Sequence, residues 1–425
     1  MKSENINFKK NFVLHNLSFI LQNILQVSVG VYFANYLGPS NYGFFQSKLI
    51  FVSYFMFLSQ LINRDLLIID YKKTGYKNIS NDLFLCFTTS MFAFIISNVF
   101  SYFIFNELLA RKLVLIFSTN FLMSMLIPIT VAGLIKGFDK FNIIAIFLTK
   151  LTMYSWRLFG IFTNKDIEFF AFSVIFEVAI YFLTICYMFK KIQLQRELSF
   201  KIDILHSKKL INSSISLLIS NFLNIMYLSL SVFVVEYFFS PKVLGKYTLL
   251  FGLQSGLSNL MITFSRYLHI NLLKLTNDKN FNYKLLIFNI NLAFSLLFVL
   301  VSTFIIHFIS TNFLKDFEIS LIEILLIFLL VLVQNNRFAF HQILILKNEE
   351  KQLWKLDIFL FINTTIFYIY YFFANLDFEK FLTLYVAVMI VSNFTYTLSR
   401  NTSDNLNFEN VEKLKLRKIF FKLFE

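Results

Sequence analysis

Six basic residues lie within apolar stretches or close to their ends: Lys48, Arg64, Lys150, Arg157, Arg266 and Arg337. A charge at the centre of a bilayer costs roughly 2.5–3.5 kcal/mol on insertion scales, so such residues face a hydrated cavity, meet a partner or snorkel to the surface. Lys48 and Arg337 are near enough to span ends to snorkel. Snorkelling fits Arg64 and Arg266 less well, because each is followed by more apolar chain, Leu66-Leu67-Ile68-Ile69 and Leu268-His269-Ile270. The chemistry open to this set is anion recognition rather than bond making. A guanidinium stays protonated and presents a fork that matches phosphate oxygens two at a time. Arg64 and Arg266 are therefore the candidate anion ligands, and Lys48, Lys150, Arg157 and Arg337 the candidate lining of a cationic cavity.

Lys150 and Arg157 are seven residues apart, which places them on one face of a helix, roughly 10 Å apart along its axis. Glu177 lies at a depth comparable to Arg157 on the next apolar segment. Two readings stay open for it. It neutralises Arg157 or Lys150 as a structural ion pair, or it exchanges a coupling proton. Gln22, Asn23, Gln26, Asn221 and Asn224 also fall inside apolar segments. There they line a hydrated path or hydrogen-bond neighbouring helices. Asp65 and Asp357 read as interface residues, and Glu236 has no assigned role.

The two arginines share a frame. Leu37-Gly38-Pro39-Ser40-Asn41-Tyr42-Gly43 is echoed by Ser240-Pro241-Lys242-Val243-Leu244-Gly245-Lys246-Tyr247, and each arginine follows its motif glycine by twenty-one residues. With only 3 prolines and 10 glycines in 425 residues, a matched spacing of both points to an internal duplication, the mark of a two-lobed transporter.

Hydrophobic residues make up 57% of the chain and charged residues 15%, too apolar for a soluble fold to cover its own surface. The many phenylalanines read as lipid-facing bulk. Hydropathy predicts about twelve transmembrane helices, near 11–36, 43–69, 83–105, 113–135, 142–163, 168–190, 209–238, 245–270, 284–306, 318–344, 353–374 and 380–400. Pro128 is expected to kink the fourth. The fold class is an all-α polytopic membrane protein. Residues 1–195 form one six-helix lobe, 196–208 a basic linker, 209–400 a second lobe and 401–425 a basic tail. Six spans per lobe make the lobes parallel repeats. The net charge of +14 is concentrated in one set of loops and at both termini, whereas the opposite set carries only Arg111, Lys112, Lys165, Lys242, Lys246, Lys315 and Lys380. By the positive-inside rule the termini and linker are cytoplasmic, and the two duplicated turns face outside. The tail, with Val411, Leu414, Ile419 and Phe420 among lysines, either lies on the inner leaflet or is a solvated tail. This distribution argues for membrane lipids and against nucleic acid as partners.

No nucleophile motif, metal spacing or phosphate-cradling glycine loop is present, and the five histidines are scattered, so neither an enzyme nor a cofactor is expected. Cys86 and Cys186 fall within spans and read as small buried hydrophobes. An enzyme acting on membrane glycans, a polymerase or ligase, needs a catalytic constellation, usually on a sizeable outer loop, and none is predicted. A drug or cation antiporter favours carboxylates in its cavity, whereas the deep charges here are mostly cationic.

Tyr32-Phe33-Ala34-Asn35-Tyr36-Leu37-Gly38-Pro39-Ser40-Asn41-Tyr42-Gly43 resembles the ARxLGPxxYG signature of Wzx-type polysaccharide flippases, with Asn35 where the signature has arginine. Gly133-Leu134-Ile135-Lys136-Gly137-Phe138-Asp139-Lys140-Phe141 is similar to a short basic loop of that family. The family belongs to the multidrug/oligosaccharidyl-lipid/polysaccharide exporter superfamily. The resemblance implies a MATE-like pair of six-helix bundles in the bacterial inner membrane. It implies alternating access that carries an undecaprenyl-diphosphate-linked oligosaccharide, an O-antigen or capsule repeat unit, to the periplasmic leaflet. It also implies a polysaccharide polymerase and a chain-length regulator as candidate partners. Arg64 and Arg266, one from each lobe, would then bind the diphosphate.

Overall fold

A computed structural model describes residues 2–62, 64, 67–68, 70–71, 78–191, 203–275, 283–346, 353–374 and 377–402. Within these, the side chains of 2–24, 139–140, 204, 209, 213, 260, 263–275, 283–291, 342–346, 353 and 398–402 lie outside the description. Among the described residues every regular element is helical. The helices are α1 (Lys2–Ser53), α2 (Met56–Ser59), α3 (Ile79–Ile104), α4 (Leu108–Ser118), α5 (Phe121–Ser124), α6 (Ile127–Ile135), α7 (Asp139–Phe162), α8 (Ile167–Lys191), α9 (Ile204–Phe238), α10 (Pro241–Leu275), α11 (Tyr283–Phe313), α12 (Leu321–Leu346), α13 (Leu353–Ala374) and α14 (Phe378–Thr402). Eight spans among the described residues are long and apolar enough to cross a membrane. The 401–425 tail lies outside the described residues from 403 onward.

Helix faces are inverted relative to those of a soluble protein. α3 buries Cys86, Ser90, Ala93, Ser97 and Ser101, while Phe92, Phe100 and Phe103 stand exposed. Small inward residues let backbones approach closely, and bulky outward ones suit a lipid solvent. On α8, Phe172, Phe176, Leu183 and Tyr187 form an exposed stripe. Cys186 lies beside that stripe and is exposed, so it departs from the expected burial; Cys86 is buried. The chain is a multi-pass membrane protein.

The chain divides into two compact units, Met1–Thr248 and Leu249–Glu425. α9, which the sequence reading places at the head of the second lobe, is grouped with the first unit. It also begins at Ile204 rather than 209, because the Asp203 side chain accepts from the His206 backbone N–H and caps it. Similar caps start other helices. Asp166 accepts from Phe169 N–H, and Ser320 and Glu323 bond each other's backbone N–H reciprocally. Asp377 accepts from Lys380 N–H, and that bond, with the Lys380 ammonium, holds its carboxyl below the ordinary range.

Within the first unit, α1 breaks at Gly38, whose φ of 71° only glycine adopts at no steric cost. Pro39 then opens the second half of α1 as Pro241 opens α10, where Ser240 Oγ accepts from Val243 N–H. These duplicated helix starts touch. A Cβ at Gly43 would stand 2.6 Å from the Gly245 nitrogen, and one at Gly245 only 1.8 Å from the Pro39 carbonyl oxygen. The aromatic residues around the break close over it: Phe33 meets Phe45 at 5.2 Å and Phe170 at 5.0 Å between ring centroids.

Two predicted spans are not continuous helices. The second, predicted over 43–69, turns at Tyr54–Phe55 and breaks again after Gln60. The fourth, predicted over 113–135 with a kink at Pro128, is divided into α4, α5 and α6. Its breaks lie upstream of Pro128, at Thr119–Asn120 and Met125–Leu126. Pro128 occupies the first turn of α6, where its missing N–H costs nothing. In the second unit, α12 packs along α11 and α14, and α13 along α14.

Gly245→Ala forces apart two backbones, so the purified variant is expected to lose stability by at least the cost of overpacking, about 1–3 kcal/mol. Gly30→Ala, whose added Cβ meets nothing within 4 Å, is expected to be neutral or stabilising by about 1 kcal/mol through helix propensity. Thermal unfolding of the two variants in detergent checks the contrast.

Candidate functional site

Arg64 follows the break in the second predicted span. Its side chain is exposed, while Ile62 and Leu67 on either side are buried in an apolar cluster with Ile79, Ile129 and Ile185. Among the described residues no acid pairs with it. Arg266 lies in the helical backbone of α10, in the second unit, and its side chain is outside the described residues, as is Asp65.

The four other cations differ in surroundings. Lys48 is 3% exposed and its Nζ lies 2.6 Å from Glu236 Oε1, beneath the touching helix starts. Ser47 Oγ donates to the same oxygen, and the Phe105 ring centroid lies 4.1 Å from the ammonium. The residue without an assigned role, Glu236, is thus the partner that makes a buried lysine tolerable. Lys48 does not snorkel. Arg337, in the second unit, does not snorkel alone either. Its Nε and Nη2 donate to both oxygens of fully buried Asp357, at 2.5 and 3.2 Å, and His341 Nε2 lies 3.4 Å from Oδ2. Nearby, Asn336 donates to Asn393 and Thr397, and Asn335 to Ser295, so α12 is tied to α11, α13 and α14 by buried polar contacts.

Lys150 and Arg157 share a face of α7 toward α8, as their spacing predicts, but have different partners. Lys150 Nζ lies 2.5 Å from Glu177 Oε1. Arg157, 8% exposed, lies over the rings of Phe33 and Phe45, at 4.9 and 5.8 Å from their centroids, and its Nε donates to Ser173 Oγ at 3.3 Å. Of the two cations open to Glu177 in the sequence reading, the hydrogen-bonded one is Lys150. Among the uncharged candidates, Asn224 accepts from the Tyr227 hydroxyl, and Gln26 and Asn221 are exposed. The side chains of Gln22 and Asn23 lie outside the described residues.

A further buried cluster escapes the sequence reading. Asp82, fully buried on α3, accepts from the Tyr71 hydroxyl at 2.8 Å and lies 3.1 Å from His206 Nε2 at the start of α9. Asn81 donates to Ser207 and accepts from the Asp203 backbone N–H. In sequence, Asp82 looks like a first-turn acid and His206 like a linker residue. The available signal is the pairing of two titratable residues at the starts of two long apolar segments.

No family model and no curated protein sequence matches the chain. Solved structures do match its fold. A lipid II flippase MurJ in an inward closed conformation is 17% identical, with 92% of this chain and 87% of that chain covered and a TM-score of 0.64. An inward-facing multidrug resistance MATE family transporter of the MOP superfamily is 12% identical, with 92% and 98% covered and a TM-score of 0.58. A MOP superfamily transporter from Pyrococcus furiosus Vc1 is 12% identical, with 93% and 95% covered and a TM-score of 0.56; its reversed binding-pocket polarity suggests a different function for it. The chain has a MATE-like fold.

The Lys150–Glu177 pair is asymmetric, with side chains 36% and 5% exposed. Lys150→Gln strands a carboxylate in the interior and is expected to cost about 3–5 kcal/mol. Glu177→Gln leaves a lysine that can reach outward, and is expected to cost less. The double variant is expected to regain most of the loss in a double-mutant cycle read by thermal unfolding.

Proposed function

We propose that the protein is a flippase for an undecaprenyl-diphosphate-linked oligosaccharide, carrying an O-antigen or capsule repeat unit from the cytoplasmic to the periplasmic leaflet of the bacterial inner membrane. The observation that carries this reading is Arg64. Its guanidinium is exposed and, among the described residues, has no acid partner, although the fold buries its apolar neighbours. An arginine in an apolar segment faces a hydrated cavity, meets a partner or snorkels, and one facing a cavity is free to meet an anion from outside the chain. A lipid diphosphate is such an anion, and a MATE-like fold with likeness to a lipid II flippase supplies a suitable scaffold. Arg266, at the matching position of the duplicate, supplies a second fork in this proposal. Of the other four cations, Lys48, Lys150 and Arg337 are neutralised by Glu236, Glu177 and Asp357, so in this proposal Arg157 is the one that adds positive potential to the path. Rocking of two lobes would expose the arginines to one leaflet and then the other, with no bond made or broken in the substrate.

An antiporter of drugs or cations needs carboxylates available to a cation. Glu177, Glu236 and Asp357 each hold a basic side chain of the protein instead, which favours the anionic substrate. The proposal places both termini and the 196–208 linker in the cytoplasm, and a polymerase and chain-length regulator on the periplasmic side to receive the product.

Arg64→Ala and Arg266→Ala are each expected to abolish surface glycan while leaving membrane abundance normal, and Arg→Lys at either site to restore part of it, since charge survives but the fork does not. Surface glycan and immunoblots of membranes, measured together, check this. Normal export by both alanine variants removes the proposal. Cysteine placed at Ser40 or Ser240, both exposed, is expected to react with an impermeant maleimide in cells with a permeabilised outer membrane, which fixes the orientation.

A further inference from the structure

The Asp82 cluster has a feature that its role as a helix tie does not need: it can take up a proton without losing a hydrogen bond. Asn78 Nδ2 lies 3.0 Å from His206 Nδ1. An amide nitrogen only donates, so Nδ1 accepts, and the neutral ring carries its hydrogen on Nε2, pointed at Asp82 Oδ1 3.1 Å away. Tyr71 donates to the other carboxylate oxygen. When a proton arrives at Nδ1, the Asn78 amide need only turn over so that its oxygen accepts from the new N–H. Every polar contact survives, and the neutral contact to Asp82 becomes a charge-assisted ion pair in an almost dry site, with side chains 10% and 0% exposed.

Several ionisable groups surround this site. From the segment before α3, Asp70 and Tyr71 act on Asp82 electrostatically. From α3 itself, Cys86 faces it, and Asp203 caps the backbone N–H of His206. Tyr181 of α8 packs against the apolar cluster beneath, which contains Ile79, Ile185, Met188 and Leu210. Among these groups only an imidazole changes charge near neutral pH at its ordinary value. The ring is also one of the groups that join α9 to α3, with Asn81.

We propose that Tyr71, Asp82, His206 and Asn78 form a proton-binding clasp, in which one proton taken up at His206 Nδ1 tightens the attachment of the start of α9 to α3. The clasp lies at the opposite end of α9 from Glu236. Thirty residues separate His206 from Glu236, about 45 Å of helix, which matches the full thickness of a bilayer with its headgroups. A proton at one face of the membrane thereby changes how firmly that end of α9 is held, while the Lys48–Glu236 pair holds the other.

The test uses the full chain in native membranes, with Cys86→Ala and Cys186→Ser as background and Asn81→Cys with Ser207→Cys as reporter. The native polar atoms at the reporter positions lie 2.8 Å apart. Disulfide yield under a fixed copper–phenanthroline pulse is measured from pH 8 to pH 5.5. Thiol ionisation alone lowers the yield as pH falls. The clasp predicts the opposite, a severalfold rise as the pH falls. His206→Gln, which keeps an amide for both neighbours, is expected to abolish the rise, and Asp82→Asn to do the same if it accumulates. A yield that falls with acid alike in the reporter and in its His206→Gln form overturns the proposal, as does a rise that survives His206→Gln. No transport is measured, so the clasp stands or falls separately from the flippase reading.

Discussion

Two helix starts meet backbone to backbone at Gly43 and Gly245, and much of the first unit is arranged around that contact. Neither position has room for a single methyl group. Once the helices meet there, the residues that follow are held in register. Lys48, five residues beyond Gly43, comes to the level of Glu236 at the end of α9. The aromatic residues on both sides of the Gly38 break close on one another and leave Arg157 beneath Phe33 and Phe45. A duplicated motif is commonly read as two independent copies of a useful turn. Here the copies are also each other's packing partner, so the glycine in one is explained by the backbone of the other.

The ionic contacts follow a related logic. Lys48–Glu236, Lys150–Glu177 and Arg337–Asp357 each join two helices within one unit. Buried pairs of this kind add little net stability, because desolvation offsets most of their attraction. Their effect is on alternatives. A helix displaced by one turn would strand two charges in a region that cannot solvate them. The pairs thus act as depth markers that make misassembled registers costly, while leaving the correct one no more stable than a well-packed apolar equivalent.

Much of this was legible in the sequence because it depends on hydropathy. The apolar segments, the duplicated turn and the shared face of Lys150 and Arg157 all follow from spacing and from the cost of charge in an apolar medium. Pairings were harder to read. Glu177 could have met either cation on α7, and the choice of Lys150 depends on how α7 and α8 are rotated against each other. Glu236 and His206 were obscured because polar residues near span ends usually need no partner. The breaks at Tyr54 and Thr119–Leu126 were hidden for another reason. They contain neither glycine nor proline, so they reflect packing rather than local preference, and Pro128 drew attention to a position already inside the next helix.

The divided fourth span carries a geometric consequence. Between Thr119 and Leu126, six backbone N–H groups bond to the carbonyl three residues back instead of four. Such tighter winding rises about 2.0 Å per residue against about 1.5 Å for the α form, so this stretch holds about 3 Å of extra length that rewinding would take up. Rewinding the whole stretch into α form would therefore shorten the span by about half a helical turn. A span that was α-helical throughout would hold no such slack.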